Sequence, residues 1–187
     1  MVEVAGSSAA AADKGSLRLG PFAEFVLPKG KPRCGLVWLH GLGDDEEGWA
    51  DGLEEDFSVA PNVGPCKFLI PRAPVQMVSA QDDRCTSWFD MKSIPVSGPP
   101  SHGCSVEQAL VTSARVHAAI AKLEQEGIPP ERIVVGGFSQ GGAMSILSTL
   151  TYPRRLGGII VLSGIVFFQD RLSELMQSHC RGMQVFW

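Results

Sequence analysis

Short apolar runs alternate along this chain with segments whose apolar residues recur at helical spacing. Strands are predicted at residues 35–39, 67–71, 133–136 and 157–168, and residues 182–187 begin a further one. Helical patterns occupy residues 106–123, 143–150 and 172–179. Because continuous apolar runs suit strands that are covered on both faces, this order predicts an α/β fold with a mainly parallel sheet flanked by helices.

The longest predicted helix has the clearest local signals. Ser105 and Gln108 stand at the spacing of a capping box, and the apolar stripe behind them stops before Gly127 and Pro129. By contrast, residues 75–100 are polar and rich in proline, and they are predicted to be irregular.

Composition narrows the class of protein. The chain has 187 residues, enough for one substantial core, and a net charge of -4 without clustered Lys or Arg, which argues against a nucleic-acid partner. Its five cysteines are odd in number and lack a CxxC pair, which favours reduced thiols in a cytoplasmic protein over disulfides or a zinc site. Residues 1–15 are small and polar without a signal-peptide pattern and are predicted to be a disordered tail, leaving residues 16–187 as one domain.

A candidate nucleophile lies where the third predicted strand meets a helix. Ser139 is flanked by Gly137 and Gly141 in a Gly-x-Ser-x-Gly pattern, the layout of a nucleophile elbow that raises a serine hydroxyl above the carboxyl edge of a sheet. A side chain at either glycine would collide with the neighbouring strand or helix. The Gly-x-Ser-x-Gly pattern alone is weak evidence for a catalytic serine, so the interpretation depends on the other motifs in the chain.

The first predicted strand runs directly into His40-Gly41-Leu42-Gly43-Asp44. A glycine-rich turn at this position can aim backbone N–H groups at an oxyanion, although a plain strand-to-helix turn has the same composition. The acidic residues from Asp44 onwards lack metal-ligand spacing, and they are interpreted as the start of a solvated helix rather than a metal site.

An aromatic island and the histidines complete the candidate chemistry. Trp88 and its neighbours fit either a staple over the core or a wall of a substrate cleft. His117 is interpreted as a packed residue and His102 as an exposed loop residue. His40 belongs to the glycine-rich turn, where bracing that turn is its expected role.

Three short segments together resemble the phospholipase/carboxylesterase family of α/β-hydrolases, which contains acyl-protein thioesterases and lysophospholipases. These segments are residues 39–44 with Trp49, residues 87–90 and residues 136–144. The resemblance covers about residues 22–187. It implies that Ser139 is the nucleophile, that the N–H groups of Leu42 and Gln140 form the oxyanion hole, and that the Trp88 region borders the acyl-binding cleft.

The same resemblance implies a class of substrate: long-chain acyl thioesters of proteins, lysophospholipids or simple carboxylic esters. It implies no cofactor and no metal. A hydrolase of acylated proteins would also make transient contact with membrane surfaces, and nothing in the residues predicts an oligomeric state.

The chain departs from the family at its carboxyl end. The family's triad acid and histidine follow strands that this chain only begins or does not reach, so the domain is expected to be incomplete, lacking its last strands and C-terminal helix. Asp170 and His179 follow Ser139 in the right order but are poor substitutes, since His179 precedes the final strand.

Two hypotheses about function therefore stay open. The first is a serine esterase or thioesterase. The second is a non-catalytic remnant that binds acyl chains or a partner, because a serine without a base is a weak nucleophile.

Overall fold

In the computed structural model, residues 20–58, 64–96 and 104–187 are described. The strands are β1 (Phe22–Leu27), β2 (Cys34–Leu39), β3 (Cys66–Pro71), β4 (Val75–Val78), β5 (Asp83–Thr86), β6 (Ile133–Phe138), β7 (Gly158–Leu162) and β8 (Val185–Phe186). The helices are α1 (Glu47–Ser58), α2 (Val106–Gln125), α3 (Gln140–Thr151) and α4 (Gln169–Leu175), with 3₁₀ turns at Pro130–Arg132 and Ser178–Cys180. The predicted N-terminal tail and His102 lie outside the described residues.

Six strands form one sheet in the order β1-β3-β2-β6-β7-β8. β1 is antiparallel to β3, and every other neighbouring pair is parallel. The predicted α/β fold with a mainly parallel sheet is therefore confirmed. Because β3, β2, β6 and β7 run in one direction, the loops that follow β2, β6 and β7 meet at a single carboxyl edge of this sheet.

Alternate residues of β2 separate the two faces of the sheet. Leu36 and Trp38 pack with the apolar side of α1, whereas Val37 and Leu39 enter the larger core that α2 and α3 cover. A strand buried on both faces needs this continuous apolar sequence, which explains why β2 could be predicted. Within the described ranges, no helix is both long and apolar enough to cross a membrane.

The fourth predicted strand is shorter than its apolar run. The prediction of a strand over residues 157–168 is wrong beyond Leu162, where β7 ends. Ser163 and Phe168 both take left-handed backbone conformations, with φ of 51° and 62°, and a strand cannot continue through such residues. Phe167 and Phe168 are buried all the same, so their apolar character reflects core packing and not strand structure.

Part of the segment predicted to be irregular forms an antiparallel hairpin of β4 and β5. Its residues are mostly exposed or half-buried, so the sequence carries no continuous apolar signal. The capping prediction at α2 is confirmed for Ser105, whose hydroxyl accepts from the Gln108 amide at 3.3 Å. The Gln108 side chain does not reach back, however: it accepts from the Asp90 amide at 2.8 Å and so ties the start of α2 to the loop after β5.

Candidate active site

Ser139 occupies the sharp turn between β6 and α3. Its backbone angles, φ 52° and ψ -115°, are rarely adopted by any residue other than glycine and are typical of strain held at a functional site. The turn is fixed on both sides, because the Ser139 amide donates to Leu162 O at 2.8 Å and Ser139 O accepts from the Ala143 amide at 3.2 Å. The strand–turn–helix context predicted for the elbow is present.

The glycines around the serine are required by close backbone approach. A Cβ at Gly137 would lie 2.7 Å from Leu39 O and 2.5 Å from the carbonyl carbon of Gly141. A Cβ at Gly141 would come closer than 3.0 Å to the carbonyl oxygens of both Leu39 and His40. These atoms belong to backbone and cannot move aside like a flexible side chain, so the steric reason inferred from the sequence is correct.

Two backbone amides near Ser139 have no hydrogen-bond acceptor among the described residues. Gln140 is the first residue of α3, where helical geometry leaves the N–H group without an intrahelical acceptor, and Leu42 lies in the turn after β2. Within the described parts of the chain, neither amide donates to a backbone or side-chain acceptor. Gly43 N donates to Thr86 O at 2.8 Å, which fixes the residue after Leu42 to the end of β5.

The side chain of Gln140 ties the elbow to the loop after β5. Its Oε1 accepts from the Trp88 amide at 2.9 Å, and its Nε2 donates to Phe89 O at 2.7 Å and to Ser87 Oγ at 3.0 Å. All of these groups are buried. Both polar atoms of the Gln140 side-chain amide therefore have partners, and these bonds hold the N-terminus of α3 against residues 87–89.

Trp88 continues this connection to the turn after β2. Its Nε1 donates to His40 O at 2.9 Å, and its indole ring lies 5.3 Å from the His40 ring. Trp88 is fully buried, and it does not line either of the two cavities at Ser139. Met91, three residues after Trp88, does line both cavities, so the segment that contains Trp88 reaches the cleft although Trp88 itself is not a lining residue.

Two cavities meet at Ser139. One, of about 240 Å³, is lined by Met91, Ile94, Pro95, Val96, Ser139, Gln140, Ser163, Ile165 and Phe167. The other, of about 290 Å³, is lined by Gly41, Leu42, Asp44, Gln81, Met91, Ile94, Phe138 and Ser139. Met91 and Ile94 belong to both and mark the boundary between them. A larger cavity of about 430 Å³ at the C-terminal end of α2 shares no lining residue with these two, so volume does not identify the site here.

His40 is committed to the turn that carries Leu42. Its Nε2 accepts from the Ala73 amide at 3.0 Å, so Nδ1 carries the hydrogen and donates to Gly41 O at 2.7 Å. Burial lowers the pKa of His40, although Gly41 O and nearby carboxylates oppose this shift. With both nitrogens occupied, His40 braces the turn, as expected from the sequence, and has no free nitrogen to accept a proton from Ser139.

The other described histidines lie at the far end of α3. His117 Nε2 donates to Ser148 O at 2.9 Å, and the turn containing His179 contacts Thr149 O and Leu150 O through Cys180 Sγ. Ser139 caps the opposite end of this 12-residue helix, and a helix of that length spans about 18 Å. No described histidine is therefore placed to activate Ser139.

Asp170 does not complete a triad either. It is exposed in the first turn of α4, and no hydrogen bond or ion pair joins it to His179 in the described structure. The prediction that Asp170 and His179 are poor substitutes agrees with this geometry. Across the described ranges, no group of three or more His, Cys, Asp or Glu side chains could hold a metal ion.

Burial of two neutral histidines makes stability depend on pH. Burial lowers the pKa of His40 and His117 from the usual 6.5, so below about pH 6.5 the unfolded chain binds protons at these positions before the folded protein does. The stabilisation is complete above pH 6.5 and is lost as pH falls, by up to about 1.4 kcal/mol per pH unit for each histidine. Urea unfolding between pH 7.5 and 5.5 should show this loss as a fall in the free energy of unfolding. His117→Gln should reduce the slope of that free energy against pH. An unchanged slope in that variant would contradict the assignment for His117.

The sheet order and the elbow define an α/β-hydrolase fold. The chain belongs to the phospholipase/carboxylesterase family, whose sequence model matches residues 22–185. It is 38% identical over 172 residues to a probable carboxylesterase of Oryza sativa subsp. japonica, covering 91% of this chain and 62% of that protein. It is 36% identical over 163 residues to acyl-protein thioesterase 1 of Cryptococcus neoformans, covering 87% of this chain and 67% of the relative. The chain thus spans about two thirds of these relatives, or somewhat less.

Solved structures show the same likeness. The crystal structure of Arabidopsis thaliana SOBER1 matches with a TM-score of 0.72 at 30% identity, covering 83% of this chain and 72% of that one. Zea mays acyl-protein thioesterase 2 matches with a TM-score of 0.63 at 27% identity, covering 83% of this chain and 67% of that one. The family named from three sequence islands is therefore confirmed.

Proposed function

We propose that Ser139 is the nucleophile of a serine hydrolase that cleaves carboxylic esters or thioesters of acyl groups. The observation that carries this proposal is the position of Ser139, on a strained turn at the junction of two cavities. The names of the relatives, carboxylesterase and acyl-protein thioesterase, support the same class of reaction.

The chemistry would begin with attack of Ser139 Oγ on the acyl carbonyl carbon. The carbonyl oxygen then becomes an oxyanion, and the amides of Leu42 and Gln140 are the donors that we assign to it. Collapse of this intermediate breaks the bond to the leaving group, which takes up the proton lost by the Ser139 hydroxyl and departs as the alcohol or thiol. Water then hydrolyses the acyl-enzyme, which releases the carboxylic acid and restores the Ser139 hydroxyl. Trp88, His40 and the Gln140 side chain support this step as positioning residues that hold the two donors in place.

The 240 Å³ cavity is the proposed site of the acyl chain. Its side chains are mostly apolar, and the exposed apolar residues Ile94 (50%) and Ile165 (39%) extend this surface to its rim. We infer that long-chain acyl groups of proteins are the substrates, with lysophospholipids as the alternative source of the same chains. Such substrates would bring this rim into transient contact with a membrane surface.

The second candidate function is binding without turnover. It is favoured by one observation: among the described residues no histidine lies beside Ser139 to take its proton. In another serine hydrolase, loss of the base costs about 10⁶ in turnover. A protein with this cleft but no base would still bind acyl chains.

A fluorophosphonate probe separates the two candidates. In the protein isolated from its own cells, we expect the probe to modify Ser139, with labelling abolished by Ser139→Ala. Ser163→Ala is the matched control, because Ser163 lines the same cavity, and it should keep the labelling. Absence of labelling in the isolated protein, or labelling that survives Ser139→Ala, would contradict the nucleophile assignment. The 187-residue chain expressed alone should hydrolyse a p-nitrophenyl ester no faster than its Ser139→Ala variant.

A further inference from the structure

The cavity on the other side of Ser139 contains one charged side chain. Of the described residues that line this 290 Å³ space, Asp44 is the only ionisable one. It lines the cavity from the same turn that supplies Leu42, the proposed oxyanion donor, and its carboxylate lies beside Gly48 in the first turn of α1. A substrate bound at Ser139 would therefore place part of its structure beside a carboxylate.

The charge of Asp44 is not neutralised by a cation in the described structure. The nearby Arg72 is engaged elsewhere, with its Nε 2.5 Å from Glu46 Oε2 and its Nη2 3.5 Å from Asp45 Oδ2. Within the described parts of the chain, one hydrogen bond reaches the Asp44 carboxylate, donated to Oδ1 by the Asp45 amide at 2.9 Å. Among the described residues, none donates a hydrogen bond to Oδ2.

The two cavities differ in this respect. Among the described residues, none of those that line the 240 Å³ cavity assigned to the acyl chain has an ionisable side chain. At an attacked carbonyl, the acyl chain and the leaving group extend in different directions from Ser139. The leaving group therefore lies on the side of Asp44, and the charge acts on this part of the substrate alone.

We propose that Asp44 selects substrates whose leaving group carries a positive charge, namely acylated cysteine peptides with lysine or arginine next to the acylated cysteine. This rests on the proposed function, in which Ser139 attacks the carbonyl carbon between the acyl chain and the leaving group. An ion pair separated by about 4 Å in a water-exposed site changes affinity about fivefold. A glutamate at the same place in the peptide would be repelled.

Binding of non-hydrolysable peptides tests this without requiring turnover. Three peptides carry an S-octyl thioether on cysteine and differ only in the next residue, which is lysine, N-acetyl-lysine or glutamate. Their Kd values are measured by titration calorimetry at low salt. The wild-type chain should bind the lysine peptide about fivefold more tightly than the N-acetyl-lysine peptide and the glutamate peptide most weakly, and Asp44→Asn should bring the three values together.

Asp51→Asn is the matched control, since it removes the same charge from an exposed position of α1 that lines neither cavity. It should keep the preference for lysine. Equal binding of the three peptides by the wild type, no binding of any of them, or an equal loss of preference in Asp51→Asn would overturn the proposal. Failure of the proposed function would instead appear as absent fluorophosphonate labelling, while the order of the Kd values stands.

Discussion

Gly141→Ala is expected to lower the free energy of unfolding by about 3 kcal/mol or more and to abolish labelling of Ser139. The new Cβ would meet the carbonyl oxygens of Leu39 and His40 at less than 3.0 Å. Inserted methyl groups in well-packed sites cost about 1–3 kcal/mol, and the upper end applies here because backbone must move. The movement separates the first turn of α3 from the turn that carries Leu42. Urea unfolding and the rate of fluorophosphonate labelling measure the two effects.

Gly52→Ala is the matched control for this substitution. Gly52 lies inside α1, and a Cβ there has nothing within 4 Å. Because alanine is favoured over glycine inside a helix, this variant should be more stable by about 0.5–1 kcal/mol. A Gly141→Ala protein as stable as the wild type would show that α3 can shift without cost, and it would remove the steric explanation of the elbow.

The elbow could be predicted because its constraints are local. Gly137, Ser139 and Gly141 are close in sequence, and the steric need for small residues on either side of a strained serine follows from backbone geometry. The central strands were predictable for a similar reason, since burial on both faces requires an uninterrupted apolar sequence, as in β2.

The rest of the site depends on contacts between distant segments. Gln140 was identified for its backbone amide, but its side chain is equally important, since it bonds to residues 87–89 more than 50 positions away. Gln108 matched a capping box and instead binds the Asp90 amide. A glutamine has the same sequence pattern whichever acceptor it finds, so no local rule could make these assignments.

Asp44 illustrates the same limit for charge. The acidic run was correctly interpreted as the beginning of a helix, because Asp45 Oδ1 accepts from the amides of Glu47 and Gly48 at the N-terminus of α1. Only the fold separates its members: Arg72 pairs with Asp45 and Glu46, while Asp44 is one of the residues that line the cavity at Ser139. Adjacent residues of one type thus acquire different roles.

Trp88→Phe is expected to destabilise the protein by about 2–4 kcal/mol and to slow labelling of Ser139 by about 10- to 100-fold. The change removes the N–H group that donates to His40 O at 2.9 Å, and a buried carbonyl left without a donor costs about 1–3 kcal/mol, with a further contribution from the smaller ring. His40 precedes the turn that carries Leu42, so a shift there would misplace the amide that we propose as an oxyanion donor. Loss of one such donor costs about 10²–10³ in rate in another hydrolase.

Trp38→Phe separates the hydrogen bond from the volume of the ring. Trp38 is also buried, at 3% exposure, but its Nε1 has no acceptor among the described residues. The same truncation there removes no hydrogen bond, so it should cost about 1–3 kcal/mol less than Trp88→Phe and leave the labelling rate nearly unchanged. Equal destabilisation in the two variants would mean that the bond to His40 O contributes nothing. Normal labelling in Trp88→Phe would mean that Trp88 is a packing residue and does not position the oxyanion hole.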